Sequence, residues 1–324
     1  MTLPDDLRQT PLTAFNIAHG GRMVPFAGYE MPVQFPDGVL KEHLHCRAAA
    51  GLFDVSHMGQ VILRPKSGRI EDAALALERL VPVDVLGLKP GRQRYGPFTA
   101  DDGGILDDLM IANRGDHLFL VVNAACKAAD IAHLRRYLAG ECEIEEITDR
   151  ALVALQGPEA EAALSALAPE VAAMRFMEVA DVTIAGTRCI VARAGYTGED
   201  GYEISVPADQ AVALAEALLS MRGSARSGLA HATACGSNRA FASTATTSTP
   251  RPHRRKARSN GRSRRCAAMA ACAPAAFPAP ISSLRNWMPV RRAVVSGCGP
   301  KAARRSAKAR CFSPPRSAAS RSGR

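Results

Sequence analysis

Every acidic residue of this 324-residue chain lies at or before Glu216. From Ala217 to Arg324 there is no Asp or Glu, while that stretch holds 22 of the 41 Lys and Arg. This leaves 19 bases against 31 acids up to Glu216, a charge of −12, followed by a segment of +22. The net +10 is therefore an average over two dissimilar parts. The length admits two or three domains with a sizeable core. The basic part is rich in Ala, Arg, Ser and Pro, has almost no periodicity, and has no acids to pair its bases. It cannot offset the entropy of ordering. The expectation is a folded region over residues 1–222, built as two interleaved α+β subdomains, and a disordered tail over residues 223–324.

Cysteine usage and the first residues limit the setting. The nine cysteines are scattered, without a CxxC pair or zinc-type spacing, so a reducing cytoplasm is expected. The start, Met1-Thr2-Leu3-Pro4-Asp5-Asp6, is acidic and lacks the apolar core of a secretory signal or the Arg-rich helix of a transit peptide. No run reaches the ~18 apolar residues of a membrane span.

Within the acidic part, residues 10–19 suit a short helix capped by Thr10 with Pro11 at its first position. Residues 40–50, 70–80, 130–139, 159–167 and 208–221 read as further helices. Residues 51–63 read as a loop entering a strand. Residues 91–100 lead into a turn at Asp101-Asp102-Gly103-Gly104, and residues 117–123 alternate and are apolar. Residues 151–158 read as a strand closed by a Gly-Pro break, and residues 179–192 as two strands around Ala185-Gly186. Helices and strands in irregular order indicate an α+β fold. His43-x-His45-Cys46 invites a metal, but no second ligand set has suitable spacing, and helical i, i+2 positions do not share a face. No metal is expected. His57 has no visible Cys or Ser partner, so hydrogen bonding in a packed turn is the expected role.

Two stretches carry chemistry. Gly103-Gly104-Ile105-Leu106-Asp107-Asp108-Leu109-Met110-Ile111 reads as a tight turn entering an apolar strand. Neighbouring strand residues point to opposite faces, so only one of Asp107 and Asp108 is expected to face inward, where it needs a partner or a job. The alternative is a hairpin whose acids sit in solvent. Arg193-Ala194-Gly195-Tyr196-Thr197-Gly198-Glu199-Asp200-Gly201-Tyr202-Glu203-Ile204 has a glycine every third residue, which suggests a loop bringing backbone close to a ligand. It has neither the Lys-Ser/Thr of a phosphate loop nor the spacing of a Rossmann turn.

Together with His19-Gly20-Gly21-Arg22-Met23-Val24-Pro25-Phe26-Ala27-Gly28-Tyr29, Leu52-Phe53-Asp54-Val55-Ser56-His57-Met58 and Ala154-Leu155-Gln156-Gly157-Pro158, these stretches resemble the aminomethyltransferase (T protein) of the glycine cleavage system. The motifs stand in the family's order across residues 10–222. The resemblance implies a folate-binding fold and transfer of a one-carbon unit to the co-substrate tetrahydrofolate. The unit comes from the aminomethyl-lipoyl arm of the H protein, with release of ammonia. It places the catalytic carboxylate at Asp108 and folate contacts at Met58, Tyr95, Asn123, Tyr196 and Glu203. Read as residues alone, the tyrosines equally suit core packing, and Asn123 suits a turn. Ala194 departs from the family's usual Thr or Ser.

The family should continue past the 208–221 helix into an arginine-bearing segment and a C-terminal β-barrel. Here that sequence is unrecognisable. Reading a shifted frame of the same codons, residues 227–235 can yield Gly-Leu-Gly-Ala-Arg-Asp-Ser-Leu. Residues 241–250 can likewise yield Cys-Leu-Tyr-Gly-His-Asp-Ile-Asp-Thr, and residues 257–263 Ala-Leu-Glu-Trp-Ala-Ile. All resemble the missing motifs, in order, so the tail is expected to be a frameshifted C-terminus rather than a nucleic-acid or membrane arm. The alternatives are a related folate-binding protein with another amine donor, and a non-catalytic protein binding nucleic acid through its basic tail.

Overall fold

The computed structural model describes residues 6–230. The expectations for the basic sequence beyond Ala230 lie outside the described residues. Helix α1 (Thr13–Ala18) leads to a β-ribbon of β1 (Arg22–Phe26) and β2 (Tyr29–Gln34), then to α2 (Gly38–Ala48). Strands β3 (Ala50–Asp54) and β4 (Gly59–Pro65) follow, then α3 (Ile70–Glu78), β5 (Arg92–Thr99), β6 (Ile105–Asn113) and β7 (Leu118–Val122). Next come α4 (Lys127–Leu138), β8 (Cys142–Ile147), β9 (Arg150–Gln156), α5 (Ala160–Ser165), β10 (Val179–Ile184) and β11 (Thr187–Ala192). The chain continues through β12 (Gly201–Pro207), α6 (Ala211–Ser220) and β13 (Ser224–Arg226). The expected α+β class holds, and the two strands around Ala185-Gly186 are β10 and β11.

Two large sheets organise these elements. One has the order β10-β11-β12-β9-β3-β13 and the other the order β5-β6-β7-β4-β8. Only β13 runs parallel to its neighbour, β3; the other pairs in both sheets are antiparallel. Each sheet buries both faces. On β9, Ala151, Val153 and Leu155 pack in a core with residues of α5 and α6, whereas Leu152 and Ala154 join a second cluster. On β6, Leu109 and Ile111 pack with residues of α3 and α4, whereas Met110 and Ala112 join that same second cluster. The period-2 alternation of a strand thus feeds helices on one side and the opposing sheet on the other. The layer between the sheets, with Phe53, Met58, Phe119 and Val121, is where the candidate site lies.

Three expectations need correction. Residues 50–54 are strand rather than loop, because β3 pairs with both β9 and β13. Thr10 does not cap α1, which starts at Thr13 after Leu12. Instead the Thr10 hydroxyl donates to Asp54 Oδ2 at 2.7 Å, and Asn16 Nδ2 donates to the same oxygen at 3.0 Å. The same hydroxyl oxygen still accepts from Leu12 N at 3.3 Å, so it serves the turn before the helix while its proton goes to a buried carboxylate that would be costly unpaired. Finally, Asp107 and Asp108 are both buried, at 2% and 5% exposure. The rule that only one could face inward assumed a sheet with one wet face, and this sheet has none.

Residues 223–230 continue the fold past position 222. Ser227 N donates to Leu52 O at 2.9 Å and Gly228 N to the buried Glu42 Oε2 at 2.8 Å.

Candidate functional site

Strand parity places each acid of the Asp107-Asp108 pair. Asp108 shares its face of β6 with Met110 and Ala112, towards the layer between the sheets. Asp107 shares its face with Leu109 and Ile111, towards α3 and α4. Asn123, immediately after β7, joins them. Its Nδ2 donates to Asp107 Oδ1 at 3.0 Å, Asp108 Oδ1 at 2.8 Å and the Asp108 carbonyl at 3.1 Å. Tyr95, opposite Met110 in the β5–β6 register, hydrogen-bonds the Asp108 carboxylate. Burial raises the Asp108 pKa to about 6, helped by the charge of Asp107 and opposed by the bonds from Asn123 and Tyr95. Asp108 is thus a carboxylate with a proton affinity near neutrality.

Glu203 reaches the same layer from the other sheet. It stands on β12 opposite Ala154 and Ala192, both of which belong to the inter-sheet cluster. It is 6% exposed, and burial alone lifts its pKa to about 7. Among the described residues no hydrogen bond or ion pair engages its carboxylate. Met58, Tyr95 and Tyr196 all pack in the cluster, so five of the six expected site residues line one layer and the sixth, Asn123, braces the acid at its edge.

The glycine-rich loop contains a surprise. Gly195 and Gly201 make room for Gln156. A Cβ at Gly195 would stand 1.8 Å from Gln156 Oε1, and one at Gly201 would stand 2.5 Å from Gln156 Nε2. Gln156 is 1% exposed; its Nε2 donates to Ala194 O at 2.9 Å and its Oε1 accepts from Thr197 Oγ1 at 2.9 Å. Arg47 Nη1 adds a bond to Thr197 O at 3.1 Å and an ion pair with Glu199 at 2.7 Å. The loop that presents Tyr196 is therefore held from below by an internal side chain. Gln156 was legible only as part of a motif; the double absence of Cβ atoms across from it was its signal.

Histidines and cysteines behave as structural groups. His57 is buried, and burial, reinforced by Lys127, lowers its pKa to about 3, so the ring is neutral. The expected hydrogen bonding in a turn is not what holds it: its Nδ1 is buried without a partner, and the ring packs edge-on to Phe26 and Tyr29. His45 Nε2 meets Gly223 O at 2.8 Å and Cys46 Sγ donates to Gln156 O at 3.2 Å. Among the described residues no three His, Cys, Asp or Glu form a metal-type group, and no helix is long and apolar enough to cross a membrane. Cys142 and Cys189 are buried free thiols.

The profile of the GCVT N-terminal domain matches residues 12–240. The chain belongs to the GCVT family. A mitochondrial aminomethyltransferase of Dictyostelium discoideum is 44% identical over 225 residues, covering 66% of this chain and 55% of that protein. The aminomethyltransferase of Geobacillus kaustophilus is 41% identical over 217 residues, covering 66% of this chain and 58% of that protein. The crystal structure of the glycine cleavage system aminomethyltransferase T of Bartonella henselae superposes with a TM-score of 0.65 at 38% identity, covering 71% of this chain and 62% of that one. The match thus spans little more than half the length of these relatives. The resemblance read from the motifs is confirmed, and the α+β fold with it.

Proposed function

We propose that the chain is the folate-binding part of an aminomethyltransferase of the glycine cleavage system. In this reading the aminomethyl-lipoyl arm of the H protein brings the one-carbon unit, and tetrahydrofolate accepts it. Two folate nitrogens each form a bond to the methylene carbon as its bonds to ammonia and to the lipoyl sulfur break. The two protons shed by those nitrogens leave with the ammonia and the thiol, and methylenetetrahydrofolate is formed. The observation that carries the proposal is the Asp108 carboxylate, buried, oriented by Asn123 and Tyr95, and titrating near 6. Such a group can accept the proton shed by the attacking amine and return one to the leaving ammonia. Opposite it, Glu203 offers an unengaged carboxylate for the N–H edge of a pterin, and Tyr196, Tyr95 and Met58 supply apolar surface for flat rings.

The sequence beyond the fold enters the same reading. We infer that the folate-binding region spans residues 1–222, with the short strand after it, and that the acid-free remainder is written in a shifted frame. The complete loss of acids after Glu216 supports this, as does the match to about half of each relative. The arginine and β-barrel expected there would complete the pocket. The scattered cysteines, without a CxxC pair, suit a reducing cytoplasm.

The test is to resequence the gene from source DNA across the codons for residues 213–227, restore the frame, and assay tetrahydrofolate-dependent ammonia release from aminomethyl-loaded H protein. A single-base error and turnover by the restored protein support the proposal. A confirmed frame would remove the frameshift reading. A restored protein that binds folate without releasing ammonia would sink the transferase reading in favour of a relative with another amine donor.

A further inference from the structure

One buried acid beside the site has no part in the chemistry above. Asp130, in the first turn of α4, is 4% exposed. Its side chain is within hydrogen-bonding reach of Asp107. Yet Asp130 Oδ2 and Asp107 Oδ2 are both buried, and neither receives an N–H or O–H from any described residue while both acids are ionised.

Among the described residues no cation pairs with either acid. From β6 come Asp107 and Asp108, and from β5 comes Tyr95, engaged with Asp108. The loop after β7 supplies Asn123, whose Nδ2 is shared between Asp107 and Asp108. On α4 itself, Lys127 is one turn away and donates to the Tyr29 hydroxyl at 2.8 Å. None of the ion pairs among the described residues involves Asp107, Asp108 or Asp130. Two ionised carboxylates in contact in a dry site repel, and each leaves a lone pair unmatched. One proton cures both faults. Asp107 already accepts a hydrogen bond from Asn123, which favours its charged form, whereas no described residue donates to Asp130 Oδ2, so the proton belongs on Asp130. Burial and the contact with Asp107 raise its pKa in the same sense.

We propose that Asp130 is a positioning residue: its carboxyl keeps a proton at neutral pH and donates it to Asp107 Oδ2, fixing the Asp107–Asn123–Asp108 chain. The device crosses the sheet. Asp130 and Asp107 meet on the helix-covered face, Asn123 bridges round the end of β7, and Asp108 faces the layer between the sheets. The outer face thus sets the geometry of the inner one. The positioning role rests on the reading of Asp108 as the catalytic carboxylate; the shared proton does not.

The test uses the full chain labelled with 13C at the Asp carboxyls and 15N at the Asn amides. The Asp130 carboxyl carbon should show the protonated chemical shift at pH 7, a signal that Asp130→Asn abolishes. Any acid signal of the buried Asp54, whose pKa is also raised, is told apart because it is the same in both. The Asn123 side-chain amide should exchange slowly in the parent and in Asp130→Asn, whose new amide can still donate to Asp107. In Asp130→Ala it should exchange roughly ten-fold faster or more, the worth of one hydrogen bond to a charged group. If no protonated Asp signal of the parent at pH 7 is lost in Asp130→Asn, the shared proton is refuted. Unchanged Asn123 exchange in Asp130→Ala refutes the positioning role. Should Asp130→Ala not fold, the Asp130→Asn spectrum and exchange rates decide. None of these readouts needs turnover, so a failure of the transferase reading would show separately, as absent ammonia release with the acid signal intact.

Discussion

Gln156 occupies the space that a side chain on Gly195 would need, its Oε1 lying 1.8 Å from the position of a Cβ there. The amide is buried and bonded at both ends, so it cannot swing aside cheaply. Gly195→Ala should therefore destabilise the fold by about 1–3 kcal/mol through overpacking and displace Tyr196. Urea unfolding of the full chain measures the first effect. A second substitution, Gln156→Ala, should partly restore the loss, because it removes the clashing atoms; no rescue would mean that the glycine serves the backbone alone.

Asp108→Asn keeps shape and the contact with Asn123 but cannot take a proton. In a frame-restored protein it should lower kcat by about 10²–10⁴-fold while tetrahydrofolate still binds. Single-turnover ammonia release and calorimetric folate titration separate the two effects. Near-normal turnover would take Asp108 out of the reaction.

Glu203 makes stability depend on pH in a direction set by its raised pKa. The folded-state value of about 7 exceeds the ordinary 4.5. Its favourable contribution is complete below about 4.5 and is lost as pH rises to about 7, because only the unfolded chain releases the proton freely. Glu203→Gln should thus match the parent near pH 4 and exceed it by about 2–4 kcal/mol at pH 8. Denaturant melts at the two pH values test this, and equal differences at both would show that burial does not hold the proton.

Glu42 ties a distant segment to α2. Its Oε1 accepts from Phe35 N at 2.6 Å and its Oε2 from Gly228 N at 2.8 Å. Glu42→Ala should leave two buried N–H groups unmet and cost about 2–4 kcal/mol, at 1–2 per group. Amide exchange at Gly228 should accelerate far more than at Leu52 and its neighbours on β3. Uniform acceleration would mean that Glu42 supports the whole fold and not this segment in particular.

Much of this architecture could be read in advance, since period-2 alternation and the Ala185-Gly186 turn mark β9 to β11, and motif order marks the family. The six expected site residues came from the motif resemblance; as residues alone the tyrosines suited core packing and Asn123 a turn. What local pattern could not show was the second covered face. With one wet face assumed, one of Asp107 and Asp108 had to be solvated; with helices on one side and a sheet on the other, both are buried and share Asn123. Nor could local pattern show that the Thr10 hydroxyl donates to Asp54, 44 residues later. Gln156, Glu42 and Asp130 were silent in sequence because a polar side chain looks solvated until its neighbours are known.

By itself, then, the amino-acid sequence determined the elements, their alternating faces, the family and the point where acidic character ends, because these depend on neighbours in the chain. Only the tertiary structure decided which polar groups are dry and therefore paired. The cost of burying a carboxylate depends on what the rest of the fold places around it, and for Asp107, Asp108 and Asp130 those surroundings come from two strands, a loop and a helix that meet only in three dimensions.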